Sequence, residues 1–278
     1  SERGYRRMIR VFALFSTLCF TLFASVTQAQ TLKLAVTTSF NNSGLSGVLL
    51  PAIKQDTGIE VQLLIVGTGQ ALRLGKAGDV DAILVHSRAA EEAFVAEGYG
   101  TYRREIMYND FVLIGPAEDP AGISGAPTAT QALQRIFEQQ SVFVSRGDDS
   151  GTHKMELSLW TAAGLEPDTF ETWYRPVGAG MGAALNTASG MNAYLMADRA
   201  SWLNFANKGD LALLYAGDPV LFNQYAFIPV NPARFPHVKI NLVQKLESWL
   251  TSDRAAALIN GYQINGETLF TFNAKPAP

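Results

Sequence analysis

Apolar runs of strand length alternate with segments of helical period through most of this chain, and no other feature narrows its fold as much. Residues 32–36 read as a strand, and Leu45, Val48, Leu49 and Ile53 follow at helical spacing. Residues 61–66 form the next strand, then a helix runs through Ala71, Leu72 and Leu74. Asp81-Ala82-Ile83-Leu84-Val85 reads as a strand covered on both faces, followed by an Ala/Glu-rich helix over 89–97. The rhythm predicts a parallel sheet with helices on both sides, because doubly covered strands lose the polar alternation of a half-exposed sheet. Pro51 lacks an N–H, so a kink or an early break is expected in the first helix.

A second unit of the same kind follows residues 106–115. It reads as a helix over 131–140, a strand over 142–144, helices over 152–163 and 183–197, and a strand over 211–215. Residues 225–230 are again strand-like, and a C-terminal helix aligns Ile240, Val243, Leu246, Trp249 and Leu250 on one face. Two α/β lobes are expected, one from residues 30–112 rejoined by 219–278, the other from 113–218. Each would hold a mixed, mainly parallel sheet flanked by helices. The chain would cross between them twice, near 110–116 and 216–226, and a ligand would bind beyond the carboxyl ends of the strands.

The N-terminus predicts the compartment. Arg6, Arg7 and Arg10 precede an uncharged run over 11–26, and Thr27-Gln28-Ala29 places small residues where a signal peptidase reads. A signal peptide over residues 1–29, cleaved after about Ala29, is expected, and hence a secreted, periplasmic chain. Removing it takes four arginines and one glutamate from 22 basic and 25 acidic residues, leaving 18 and 24 and a net charge of −6. Cys19 is the chain's one cysteine, so the processed protein has no disulfide. An acidic chain lacks the basic face that nucleic-acid binding needs.

Three strand-to-helix junctions offer hydroxyls and glycines where a helix begins. They are Thr37-Thr38-Ser39, Val66-Gly67-Thr68-Gly69-Gln70, and Ser145-Arg146-Gly147-Asp148-Asp149-Ser150-Gly151-Thr152-His153. The first N–H groups of a helix have no internal partner, and the dipole puts roughly half a positive charge there. Glycine lets the backbone approach an anion closely, and Ser/Thr hydroxyls add donors without charge. Any one such junction is an ordinary helix cap. Three of them, each after a strand, point to a site for a small dianion even in an acidic protein. Arg146 is the one cation in these loops, and a guanidinium adds charge-assisted hydrogen bonds.

With these motifs the sequence resembles the substrate-binding proteins of tungstate importers, within the type II periplasmic-binding-protein superfamily. The most specific segment is residues 145–153, supported by Val66-Gly-Thr-Gly-Gln-Ala-Leu72 and Met107-Tyr-Asn-Asp-Phe111. Where the family reads Thr-Thr-Thr-Ser, this chain reads Val36-Thr37-Thr38-Ser39, one hydroxyl fewer. The resemblance implies anion contacts from Thr37 or Thr38, Thr68, Arg146 and Thr152, with Ser39, Ser145, Ser150 and Gly151 as further candidates. It also implies an ATP-driven (ABC) permease in the inner membrane as partner. A monomer without cofactor is expected.

Other readings fit less well. Gly147-Asp-Asp-Ser150-Gly151 faintly echoes the nucleophile loop of trypsin-like proteases, but those are all-β, and His86, the one histidine before it, ends a strand and reads as a packed or capping residue. Arg146-Gly147-Asp148 spells an adhesion tripeptide inside a phosphate-loop-like turn. Gly75-Lys76 lacks the glycine and Ser/Thr of a Walker loop, and Gly178-x-Gly180-x-Gly182 reads as another helix start. His86, His153 and His237 lack metal-ligand spacing. Trp160, Trp173 and Trp202 read as packing residues. No nucleophile–base pair assembles, so a binding protein is expected rather than a periplasmic enzyme. Tungstate and molybdate, dianions of nearly equal size, are separated by the resemblance alone, and sulfate and phosphate remain alternatives.

Overall fold

The computed structural model of the protein describes residues 30–275; the expected leader over residues 1–29, with Cys19, lies outside the described residues. The mixed α/β fold expected from the strand–helix rhythm is the one observed. Strand β1 (Gln30–Thr37) lies beside β2 (Ile59–Val66) and β3 (Ala82–Val85), and pairs in parallel with β3 through Leu34↔Ala82 and Val36↔Leu84. All four residues of β3 are buried, as a strand covered on both faces requires. Strand β9 (Phe222–Pro229) is antiparallel to β3 and also to β4 (Arg104–Pro116), so β3 and β4 run the same way on either side of it.

The 13-residue strand β4 changes partner along its length. Arg104 to Asp110 pairs with β9, whereas Phe111 to Ile114 pairs with β7 (Tyr194–Asp198) and Leu113 to Pro116 with β8 (Leu211–Tyr215). Beyond β7, strands β5 (Phe143–Ser145) and β6 (Tyr174–Pro176) continue the sheet in parallel. At the change of partner Arg199 donates from Nε and Nη2 to the two carboxylate oxygens of Asp110, at 2.6 and 2.7 Å. This bidentate fork fixes the start of the following short helix against β4.

Hydrophobic burial is divided into two clusters. The larger gathers Val36, Phe40, Ile83, Leu84, Tyr225 and Phe227 around β1, β3 and β9. The smaller packs Leu133, Phe143, Trp160, Trp173 and Tyr194, with Trp160 edge-on to Phe143 at 5.3 Å. Trp160, Trp173 and Trp202 are all buried, as packing residues.

Ten α-helices cover the described residues: α1 (Thr38–Asn42), α2 (Ser46–Thr57), α3 (Thr68–Ala77), α4 (Arg88–Ala96), α5 (Ala129–Gln139), α6 (Gly151–Ala162), α7 (Met181–Met191), α8 (Arg199–Asn204), α9 (Ile240–Leu250) and α10 (Asp253–Gly261). Of the kink or early break expected at Pro51, the break does not occur: helix α2 continues past Pro51 to Thr57. Leu49, Ala52 and Ile53 are buried on one side of it, and that packing outweighs the single hydrogen bond a proline removes. A second difference concerns the helix expected over 183–197. Helix α7 stops at Met191 because Asn192 takes the left-handed conformation, φ 50°, and residues 194–198 are strand β7. Ala193-Tyr-Leu-Met-Ala197 is apolar throughout, and periodicity cannot tell such a run from a buried helix. Helices α8 and α10 and strand β6 were not anticipated from the sequence.

Candidate functional site

Parallel pairing of β1 with β3 places the residues just past their carboxyl ends side by side. Thr37, 3 % exposed, ends β1 and caps α1 by accepting from the Phe40 N–H at 3.2 Å. Ser39 Oγ lies 3.1 Å from Thr37 Oγ1, and the first residue beyond β3, His86, brings its Nε2 to 3.0 Å from Ser39 Oγ and 3.2 Å from Thr37 Oγ1. Thr38 and Ser39 are exposed at the start of α1. The His86 ring sits 4.7 Å from that of Tyr225. Burial pushes the His86 imidazole below its ordinary pKa, against the pull of Asn223 and of its own backbone. Tyr225 Oη is buried without a hydrogen-bond partner, and burial pushes its phenol up to about 12, so it stays protonated. Thr68 opens α3 after Gly67, which has no side chain and so leaves the helix N-terminus without a side-chain cap.

The second group is built by the loop between β5 and α6. Ser145, 1 % exposed, ends β5. Arg146 follows, and its Nη2 donates to Asp148 Oδ2 at 2.6 Å while Asp148 Oδ1 accepts from the Ser150 N–H at 3.2 Å. Burial acts to raise the Asp148 carboxyl, but the hydrogen bonds from Ser150 and Arg146 outweigh it and hold it below the ordinary value. Ser150 caps α6 by accepting from the His153 N–H at 3.1 Å. Gly151 is exposed at the first helical position, and Thr152 behind it is 9 % exposed.

The turn itself is compact. Gly147 sits at φ 57°, where a Cβ would lie 2.9 Å from Pro176 Cβ, so glycine is required. The Val177 and Ala179 N–H groups donate to the carbonyls of Ser145 and Arg146, at 3.0 and 3.2 Å. They bring the glycine-rich segment over 178–182 alongside, and it opens α7 with Gly180 at its cap, the helix start read from the sequence. Two helix N-termini therefore begin beside Arg146. Arg146 Nε and Ser145 Oγ are buried without hydrogen-bond partners. One turn into α6, Glu156 is 3 % exposed and accepts from Tyr174 Oη at 2.7 Å; burial pushes its carboxyl up, while Ser145 and Tyr174 beside it act the other way.

The structure thus joins Thr37 to Ser39, and Arg146 to Ser150 through Asp148. Among the described residues no hydrogen bond or ion pair links the first group to the second or to Thr68. His86, Tyr225 and Glu156, which the structure sets beside these groups, were not singled out for a site from the sequence. For His86 a signal existed, since it is the first residue beyond a doubly covered strand.

Matching of the chain against family models aligns residues 24–254 with the PBP superfamily domain. The chain belongs to the PBP superfamily. Within this superfamily it is 46 % identical to the tungstate-binding protein TupA of Peptoclostridium acidaminophilum, over 89 % of this chain and 88 % of that protein. Its structure is similar to that of the tungstate-binding protein TupA from Desulfovibrio alaskensis G20, with a TM-score of 0.85, 47 % identity, and coverage of 89 % of this chain and all of that one. The tungstate ABC transporter structure from Geobacter sulfurreducens matches with a TM-score of 0.69 and 45 % identity, covering 84 % of this chain and 98 % of the other.

Proposed function

We propose that this chain is the solute-binding component of an ABC importer, exported to the periplasm, that captures tungstate and delivers it to a membrane permease. The observation that carries this reading is the loop before α6, where one guanidinium with a buried, unpartnered Nε stands among helix N-termini and its neighbouring carboxylate is already spent. Such a site offers hydrogen-bond donors and almost no free acceptor. Thr37, Thr38, Ser39 and Thr68 are the donors of one lobe, residues 30–112 with 219–278. Ser145, Arg146, Ser150, Gly151 and Thr152 are those of the other, residues 113–218, and the lobes close on the anion about the two crossings. The names of the relatives favour tungstate over molybdate.

Donor-only chemistry also selects against phosphate. Tungstate and sulfate are fully deprotonated near neutral pH and only accept hydrogen bonds, whereas hydrogen phosphate carries a proton that needs an acceptor. Asp148 is occupied by Arg146 and the Ser150 N–H, and Asp149 is exposed with Lys154 3.7 Å away. Competition titration of the processed chain with tungstate, molybdate, sulfate and phosphate tests the reading. Tungstate binds at one site per chain and is recovered unchanged, with phosphate far weaker. Failure to bind any oxyanion, or phosphate binding as tightly as tungstate, overturns it.

A further inference from the structure

We infer that His86 is a charge-sensing residue of the oxyanion site: neutral in the free protein, its imidazole takes up one proton when a dianion binds and so turns both the Thr37 and Ser39 hydroxyls toward the anion. The inference rests on the proposed function and deepens it.

The geometry is a closed triangle, with Nε2, Thr37 Oγ1 and Ser39 Oγ each 3.0 to 3.2 Å from the other two. In the neutral tautomer that carries its proton on Nδ1, Nε2 has a lone pair, so one hydroxyl donates to it and turns an oxygen lone pair toward the site. When Nε2 carries a proton it donates, and both hydroxyl protons are free to point outward. Thr37 Oγ1 already accepts from the Phe40 N–H at 3.2 Å, so accepting also from Nε2–H fills its second lone pair and leaves only its own proton to offer. An anion beyond these hydroxyls therefore favours a proton on Nε2 through hydrogen bonding, and through its charge favours the doubly protonated ring over the neutral Nε2–H tautomer.

The surroundings set the free ring neutral and leave it responsive. From β9 it meets the Tyr225 ring and the Asn223 amide, and Asn223 is held by a 2.9 Å hydrogen bond to Asn109 Oδ1 of β4. On its own segment the nearest ionic groups are Arg88, which is paired with Glu92 at 2.8 Å and lies 3.9 Å from Glu105, and Glu91, which Arg103 holds. From the end of β7, Asp198 acts on Tyr225 rather than on His86. Burial, not a charged neighbour, depresses this imidazole. An opposite charge within about 4–6 Å raises the pKa of a cationic group by roughly 1–3 units, so a bound dianion acts against the burial that depresses this imidazole and draws a proton onto it. The proton comes from the buffer to Nε2, and no other bond changes. The sign follows: affinity for a dianion rises as pH falls from the bound-state pKa toward the free-state value, and is flat outside that window.

Isothermal titration of the processed chain with sodium tungstate, in HEPES and in Tris at one pH near 7, reads the proton directly from the dependence of the apparent enthalpy on buffer. The wild type takes up a measurable fraction of a proton per tungstate, at most about one. His86→Gln keeps a neutral group at the Nε2 position, loses the uptake, and binds roughly 2- to 10-fold more weakly. Perrhenate, a tetrahedral monoanion of similar size, draws a smaller uptake. A wild-type enthalpy independent of buffer overturns the inference while leaving tungstate binding intact, and that measurement needs no variant. So does an unchanged uptake in His86→Gln, which assigns the proton elsewhere, with Glu156→Gln as the next variant to titrate. Equal uptake with perrhenate overturns the charge-sensing role. No heat with tungstate in either buffer overturns the proposed function itself.

Discussion

Arg146→Ala removes the guanidinium from the loop between β5 and α6 and tests the site at its most charged point. In the structure Arg146 spends Nη2 on Asp148 at 2.6 Å and keeps its Nε buried and unpartnered, so the group is oriented before any anion arrives. Truncating one member of a buried, hydrogen-bonded charge pair costs about 2–5 kcal/mol. At about 1.4 kcal/mol per factor of ten, the tungstate affinity falls by roughly 30- to 4,000-fold. Arg146→Lys recovers part of that loss, because it keeps the charge without the planar fork. The fold survives, since Asp148 still accepts from the Ser150 N–H and Ser150 still caps α6. Isothermal titration measures the affinity and circular dichroism the fold. A folded Arg146→Ala protein that binds tungstate as the wild type does would make this arginine a purely structural residue and refute the reasoning.

Thr152→Val deletes one neutral donor and leaves the α6 N–H groups in place, so it costs roughly 1 kcal/mol of binding, about a fivefold loss by the same titration; a loss as large as that of Arg146→Ala contradicts the ranking. Gly115→Ala puts a Cβ 2.3 Å from Tyr194 Cδ1, on a ring that cannot swing away because its hydroxyl donates to Asp119 at 2.8 Å and accepts from the Ala121 N–H at 2.9 Å. Overpacking of this kind destabilises by about 1–3 kcal/mol, read as a lower Tm, and an unchanged Tm contradicts it. Glu156, whose carboxyl burial raises above its ordinary value, holds its proton to higher pH in the folded state than in the unfolded one. Folding is therefore favoured below the unfolded-state value and loses that contribution as pH rises through the window up to the folded-state value. Melting curves of wild type and Glu156→Gln should diverge across that window, with the wild type losing ground as pH rises; parallel profiles contradict it.

The parts of the fold that could be read in the sequence are those where one local pattern decides the outcome. The run at residues 32–36 has strand length and became part of β1, and the run at 81–85, too apolar for a half-exposed strand, became the fully buried β3. Ser150 before Gly151 and Thr152 announces a helix cap, and the cap is there. What could not be read depends on neighbours far apart in the chain. His86 lies 47 residues from Ser39 and 49 from Thr37, and only the β1–β3 pairing brings the three together. Glu156 looks like a surface position on a helix until β6 carries Tyr174 over it. Asn192 takes the left-handed turn that separates α7 from β7, and the apolar run over 193–197 just beyond it is equally compatible with a buried helix. Pro51 shows the reverse, a strong local signal overruled by packing.

Diffraction from crystals of the processed chain grown with tungstate, recorded at a tungsten absorption edge, tests the central claim most directly, because the anomalous peak locates the anion without prior assumption. The account predicts one strong peak, with its oxygens in hydrogen-bond reach of Arg146 and the α6 N-terminus on one side and of Thr37 and Ser39 on the other. A strong peak elsewhere, with none between these two groups, would contradict it.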